Sequence, residues 1–187
     1  MKRLGWLIVL VSVAVLAPAT MSHAQLSVYG EATADYLNNG PYTDFLTGGT
    51  AGVTIDLAQV WHDRITVSAD VQGNFVFNNT LPANAPPAYS TGETYETVTV
   101  GPRLSFAPHF FKLAPYVQAN VGFGRYHDPF THSVTDNVFG AQGGVTRRLT
   151  PRFDAVLDYS YSRYGYNAAY YNPQTFSVGA IYHFVKR

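Results

Sequence analysis

Thr175-Phe176-Ser177-Val178-Gly179-Ala180-Ile181-Tyr182-His183-Phe184 decides how this sequence is read. Its even positions, Phe176, Val178, Ala180, Tyr182 and Phe184, are all apolar, while its odd positions are mostly small or polar. Side chains alternate across a strand, so a period of two describes a strand with two unlike faces. A strand of about ten residues, tilted by about 45°, is long enough to cross the hydrocarbon core of a bilayer.

The same period recurs upstream. Residues 26–36 set Leu26, Val28, Ala32, Ala34 and Tyr36 against Glu31, Thr33 and Asp35. Residues 48–57 set Ala51, Val53, Ile55 and Leu57 against Thr50, Thr54 and Asp56, and residues 64–77 give the longest clean alternation, from Ile65 to Phe77. Further strands are expected over 94–107, where Pro102 is the weakest point, and over 113–126, 137–149 and 153–164. With the last strand this makes eight, an all-β chain in which the connections alternate in length. Residues 38–47, 78–93, 127–136 and 165–173 are long and polar, whereas 61–63, 108–111 and 150–151 are short. An antiparallel meander collects the long connections at one end and the short ones at the other, as barrels that span outer membranes do.

The N-terminus points to secretion. Lys2 and Arg3 precede an apolar run over 4–17, and Ser22-His23-Ala24 has the small residues of a cleavage site. The run stops at Pro18, short of the ~20 residues that a spanning helix requires. Residues 1–24 are therefore expected to be a cleaved signal peptide and 25–187 a single domain. Formal charge falls from 0 to −2 when Lys2 and Arg3 leave, which argues against nucleic acid as a partner. The chain has no Cys, so disulfides, thiolate metal sites and a Cys-linked lipid anchor are excluded.

Charge position separates a barrel with lipid outside from a soluble one with its apolar face inside. On the apolar parity Glu96, Arg125, Arg147 and Arg163 lie near strand ends, while Glu31, Asp56, Asp70, Arg103 and Asp158 fall mid-strand on the polar parity. An Arg or Lys facing lipid at the midplane costs about 2–4 kcal/mol, so this sorting suits a membrane barrel. Aromatic residues gather toward both strand ends, as expected of interfacial belts.

The mature chain as a whole resembles the small eight-stranded outer-membrane barrels of the outer membrane protein A and opacity-protein type. The resemblance is carried by the alternating strands, by Pro115-Tyr116-Val117-Gln118-Ala119-Asn120-Val121-Gly122-Phe123-Gly124, by Phe139-Gly140-Ala141-Gln142-Gly143-Gly144 and by the aromatic last strand. It implies an eight-stranded antiparallel up-and-down transmembrane barrel in the outer membrane of a diderm bacterium. Lipid and lipopolysaccharide would surround it, and the barrel assembly machinery would read Phe176, Val178, Tyr182 and Phe184 as a C-terminal signal. The family pattern ends on the aromatic, whereas here Val185, Lys186 and Arg187 follow.

Three candidate sites emerge. Glu31, Asp56, Asp70, Arg103, Arg148 and Asp158 are expected to form a polar network that fills the lumen, because buried charges must be paired. Tyr164, Tyr166, Asn167, Tyr170, Tyr171 and Asn172 form a loop suited to recognising a glycan or protein, since Tyr and Asn combine contact area with adaptable hydrogen bonding. The 127–136 loop holds His127, Asp128, His132 and Asp136, a possible metal set, and an adjacent His132-Ser133. Outer-membrane lipid A deacylases place a His and a Ser one residue apart on a lipid-facing strand, a spacing that this sequence lacks. The expectation is a structural or adhesive barrel with no cofactor and no enzymatic activity; the alternatives are a lipid A-modifying enzyme and a soluble periplasmic lipocalin-like binding protein.

Overall fold

A computed structural model describes residues 25–39, 42–62, 64–78, 94–107, 112–127, 133–164 and 172–184. These form eight strands: β1 (Leu26–Asn39), β2 (Tyr42–Val60), β3 (Ile65–Phe77), β4 (Thr94–Phe106), β5 (Leu113–His127), β6 (Val134–Arg148), β7 (Phe153–Tyr164) and β8 (Gln174–His183). Each pairs antiparallel with the next, and β1 pairs with β8, closing a barrel in which no strand edge is left open.

The alternation read from the sequence is the alternation between lumen and exterior. Val98, Phe139, Leu157, Phe176 and Val178 are each more than half exposed on the outside. The intervening polar residues are buried inside. The soluble, lipocalin-like alternative required the opposite arrangement and is excluded by this one.

Four details differ from the sequence reading. Residues 38–39 and 42–47 are strand rather than loop: β1 and β2 continue as a long hairpin in register through Asn39↔Tyr42, because Tyr42, Thr43 and Phe45 favour extended backbone. β5 and β6 likewise extend to His127 and from Val134, shortening the connection expected over 127–136. A bulge between Asp56 and Ala58 shifts the register, so Leu57 is the extra residue and the outward parity passes from Ile55 to Ala58 and Val60. At Pro102 the strand persists, and the β4–β5 pairing skips Gly101 and Pro102 between Val100↔Val121 and Arg103↔Gln118. Proline has no N–H to give the ladder, and pairing with β3 through Ala69↔Pro102 holds the strand in place.

The described short turns are built by local chemistry. Trp61 and His62 have φ of 56° and 58°, the left-handed pair required by a tight hairpin. Between β6 and β7, Thr150 Oγ1 accepts from the amides of Arg152 and Phe153, while the Leu149 and Thr150 amides bond to the Phe153 carbonyl.

Candidate functional site

The lumen is layered. At the end carrying the long connections, Leu46, Val76, Tyr95, Tyr126 and Val138 form an apolar layer, all at most 2% exposed. Below it lies a small polar chamber of about 20 Å³, walled by residues that include Glu31, Asn74, Thr97, Asn120, Gln142 and Asp158. A belt of charges and tyrosines follows. The short-turn end opens into a vestibule of about 800 Å³ whose lining includes Ser27, Asp56, Arg103, Lys112, Arg148 and His183.

The belt brings together Glu31, Asp70, Arg103 and Asp158. Asp70 is fully buried and accepts from Tyr29 Oη at 2.9 Å, Thr54 Oγ1 at 2.6 Å and Gln118 Nε2 at 3.0 Å. Asp158 accepts from Tyr116 Oη at 2.8 Å. The Glu31 carboxyl neighbours that of Asp158, and the charge of Arg103 acts on both. The Arg103 guanidinium lies over the Tyr116 ring, 3.5 Å from its centroid, where the ring face attracts a cation. Gln118, Asn120 and Gln142 extend the network: Gln118 donates to Asn120 at 2.7 Å and Asn120 to Gln142 at 3.3 Å. Ser68 donates to Asp56 at 2.8 Å, nearer the short-turn end.

Arg148, expected from the sequence in the same network, stands apart from it. As the last residue of β6 it is exposed at the vestibule mouth, opposite Asp154 across the β6–β7 pair, and not at the level of Arg103. Strand length is the cause, since same-parity positions two residues apart rise by about 6.6 Å along a strand.

Both tyrosines lie against glycine. Tyr29 pairs with Gly52 and Tyr116 with Gly144. A Cβ at Gly144 would stand 2.8 Å from Tyr116 Cε1, and one at Gly52 would meet the Tyr29 ring. The glycines therefore make room for rings that fold over the inner wall. Tyr116→Phe keeps the ring under Arg103 but removes the hydroxyl on Asp158; a cost of about 1–3 kcal/mol is expected, read as a lower midpoint of thermal unfolding with the folded barrel still formed.

A second buried group closes the seam between the first and last strands. His183 Nδ1 and Ser27 Oγ share a hydrogen bond at 2.7 Å, and His183 Nε2 lies 3.0 Å from Asp154 Oδ2. β1, β7 and β8 are thereby tied at one level, beside the Phe184 amide bonded to the Leu26 carbonyl. Outside, Phe176 packs on Tyr159 and Tyr182 on Phe153 and Phe184, so Phe176, Tyr182 and Phe184 belong to the aromatic exterior with Val178 between them.

The loop candidates are placed only in part. Tyr166, Asn167, Tyr170 and Tyr171 lie outside the described residues, as do Asp128 and His132; Tyr164 ends β7 and Asn172 precedes β8. Ser133 Oγ lies 2.9 Å from His127 Nδ1, while Asp136 accepts from the Asn137 amide. Among the described residues no three His, Asp or Glu side chains are grouped to hold a metal.

An apolar exterior, a polar interior and eight antiparallel strands closed on themselves define a transmembrane β-barrel. The family described as outer membrane protein beta-barrel domain matches residues 6–184, and the chain belongs to it. In outer-membrane barrels generally the turns that face the periplasm are short and the loops that face out are longer.

Solved structures share the fold at low identity. Neisserial surface protein A superposes with a TM-score of 0.64 at 16% identity, covering 85% of this chain and 97% of its own. Ail, the attachment invasion locus protein of Yersinia pestis, gives 0.59 at 16%, covering 87% and 99%. The outer membrane enzyme PagL gives 0.44 at 11%, covering 81% and 98%, a likeness too loose to carry chemistry. No curated protein sequence matches significantly.

Proposed function

We propose that the mature chain, released by cleavage near Ala24, is a non-conducting, non-enzymatic outer-membrane barrel whose structural and adhesive role rests on its surface loops. The observation that supports this reading is the layering of the lumen. An apolar layer lies at the loop end with a charged belt beneath it, and an eight-stranded barrel has room for little more than its own side chains. Variation in recognition then falls to the loops. The similar barrels support the reading by their names: one is a surface protein, another an attachment and invasion protein, and Ail has been solved with the heparin analogue sucrose octasulfate.

The partner is a glycan or protein met by the tyrosine- and asparagine-rich segment between β7 and β8. Replacing residues 165–171 with a Gly/Ser linker of equal length should reduce attachment of cells expressing the protein to host-cell or glycan-coated surfaces by about tenfold, while the barrel still folds. Unchanged attachment with the barrel at normal surface abundance would remove this loop from the proposal.

A further inference from the structure

The two rims of the barrel carry charge differently. At the loop end the described charges are of both signs: Glu96 and Arg125 oppose each other across β4 and β5 and are exposed, Arg163 is exposed near the end of β7, and Asp136 is half-buried. At the turn end, Arg64, Lys112, Arg147 and Arg152 are exposed, and the described carboxylates there, Asp56 and Asp154, are buried inside the barrel. Each of the three short turns thus brings at least one cation. Asp63 lies outside the described residues.

Two of these three turns also carry an exposed apolar side chain. Trp61, in the turn with Arg64, is 71% exposed, and Leu149, between Arg147 and Arg152, is 62% exposed. Arg147 pairs with Ala155 and Leu113 on the outward parity, continuous with the lipid-facing surface. A Lys or Arg next to an exposed Trp or Leu at the edge of an apolar belt is the chemistry of the membrane interface, where the ring lies among headgroups and the cation meets phosphate.

We propose that this collar binds anionic phospholipid headgroups in the leaflet facing the periplasm and so fixes the depth of the barrel in that leaflet. Soluble polyanions and the cell wall also present negative groups, but neither accounts for Trp61 and Leu149 beside the cations. The inference rests on the barrel reading above. An anionic membrane surface attracts cations held near it, and the attraction is screened by salt.

The test compares the protein refolded into phosphatidylcholine vesicles with the protein in vesicles that also contain phosphatidylglycerol. Unfolding is followed by the loss of the compact electrophoretic band. At low salt the wild type should unfold about tenfold more slowly with phosphatidylglycerol, and high salt should abolish the difference. The combined variant Arg64→Gln, Arg147→Gln, Arg152→Gln should match the wild type in phosphatidylcholine and lose most of the phosphatidylglycerol effect. An equal effect in the variant, or none in the wild type, overturns the proposal. So does co-sedimentation with purified peptidoglycan that the variant loses while its lipid response is unchanged, which assigns the collar to the cell wall. Absence of any compact band in phosphatidylcholine would instead contradict the barrel reading itself.

Discussion

Arg103→Ala is expected to lower barrel stability by about 3–5 kcal/mol, the range for removing one partner from a buried charge cluster. Arg103 is 6% exposed and is the cation at the level of three buried carboxyl groups, Glu31, Asp70 and Asp158. Removing it leaves those groups without their counter-charge and takes the cover from the Tyr116 ring. Arg103→Lys should recover only part of the loss, because a flexible ammonium does not reproduce a planar group stacked on a ring. The measurement is the temperature at which the compact band disappears in vesicles, with conductance recorded on the same samples. A rise in ion conductance with no loss of stability would show that Arg103 gates a pore rather than holding the interior together.

Leu157→Arg should cost about 2–4 kcal/mol in a bilayer, as measured for cations placed on the lipid face near the midplane. Leu157 lies near the middle of β7, 56% exposed, with Val145 and Val178 beside it on the neighbouring strands. The substitution opposes the sorting that keeps Arg125, Arg147 and Arg163 near strand ends. Equilibrium folding into vesicles against denaturant provides the readout. An unchanged folding free energy would mean that the face carrying Leu157, Phe176 and Val178 does not meet lipid.

The sequence made the strands legible because a barrel wall has only two environments, and the alternation of Phe176, Val178 and Tyr182 with Ser177 and Gly179 records both. It made Glu31, Asp70, Arg103 and Asp158 legible for the same reason, since a mid-strand charge on the polar parity has only the lumen to enter. What it hid depended on pairing between distant strands. Nothing in the sequence links Tyr29 to Gly52 or Tyr116 to Gly144; the strand register puts each glycine across from its ring. Asp154 and His183 stood near strand ends with nothing to connect them until closure of β1 on β8 brought Ser27 to His183.

Parity alone also placed too much of the chain in loops. The polar 38–47 segment reads as a connection because lumen-facing and solvent-facing positions are equally polar, yet β1 and β2 continue through most of it as a paired hairpin. Leu46, Val76 and Val138 are the complementary case. They break the polar parity by placing apolar groups inward at the loop end, and that break is the sequence signal for the layer that closes the lumen. The bulge at Leu57 has no such signal, because the outward residues before and after it, Ile55 and Ala58, are both apolar while the register shifts.

Electrophoresis of the outer-membrane fraction, unboiled against boiled in detergent, tests the central claim most directly. A membrane barrel closed through β1 and β8 should keep its compact fold in detergent until heated, so the unboiled sample should run as a faster band and the boiled one more slowly. A protein recovered in the soluble periplasmic fraction, with one mobility before and after boiling, would contradict both the lipid-facing exterior and the closed transmembrane barrel.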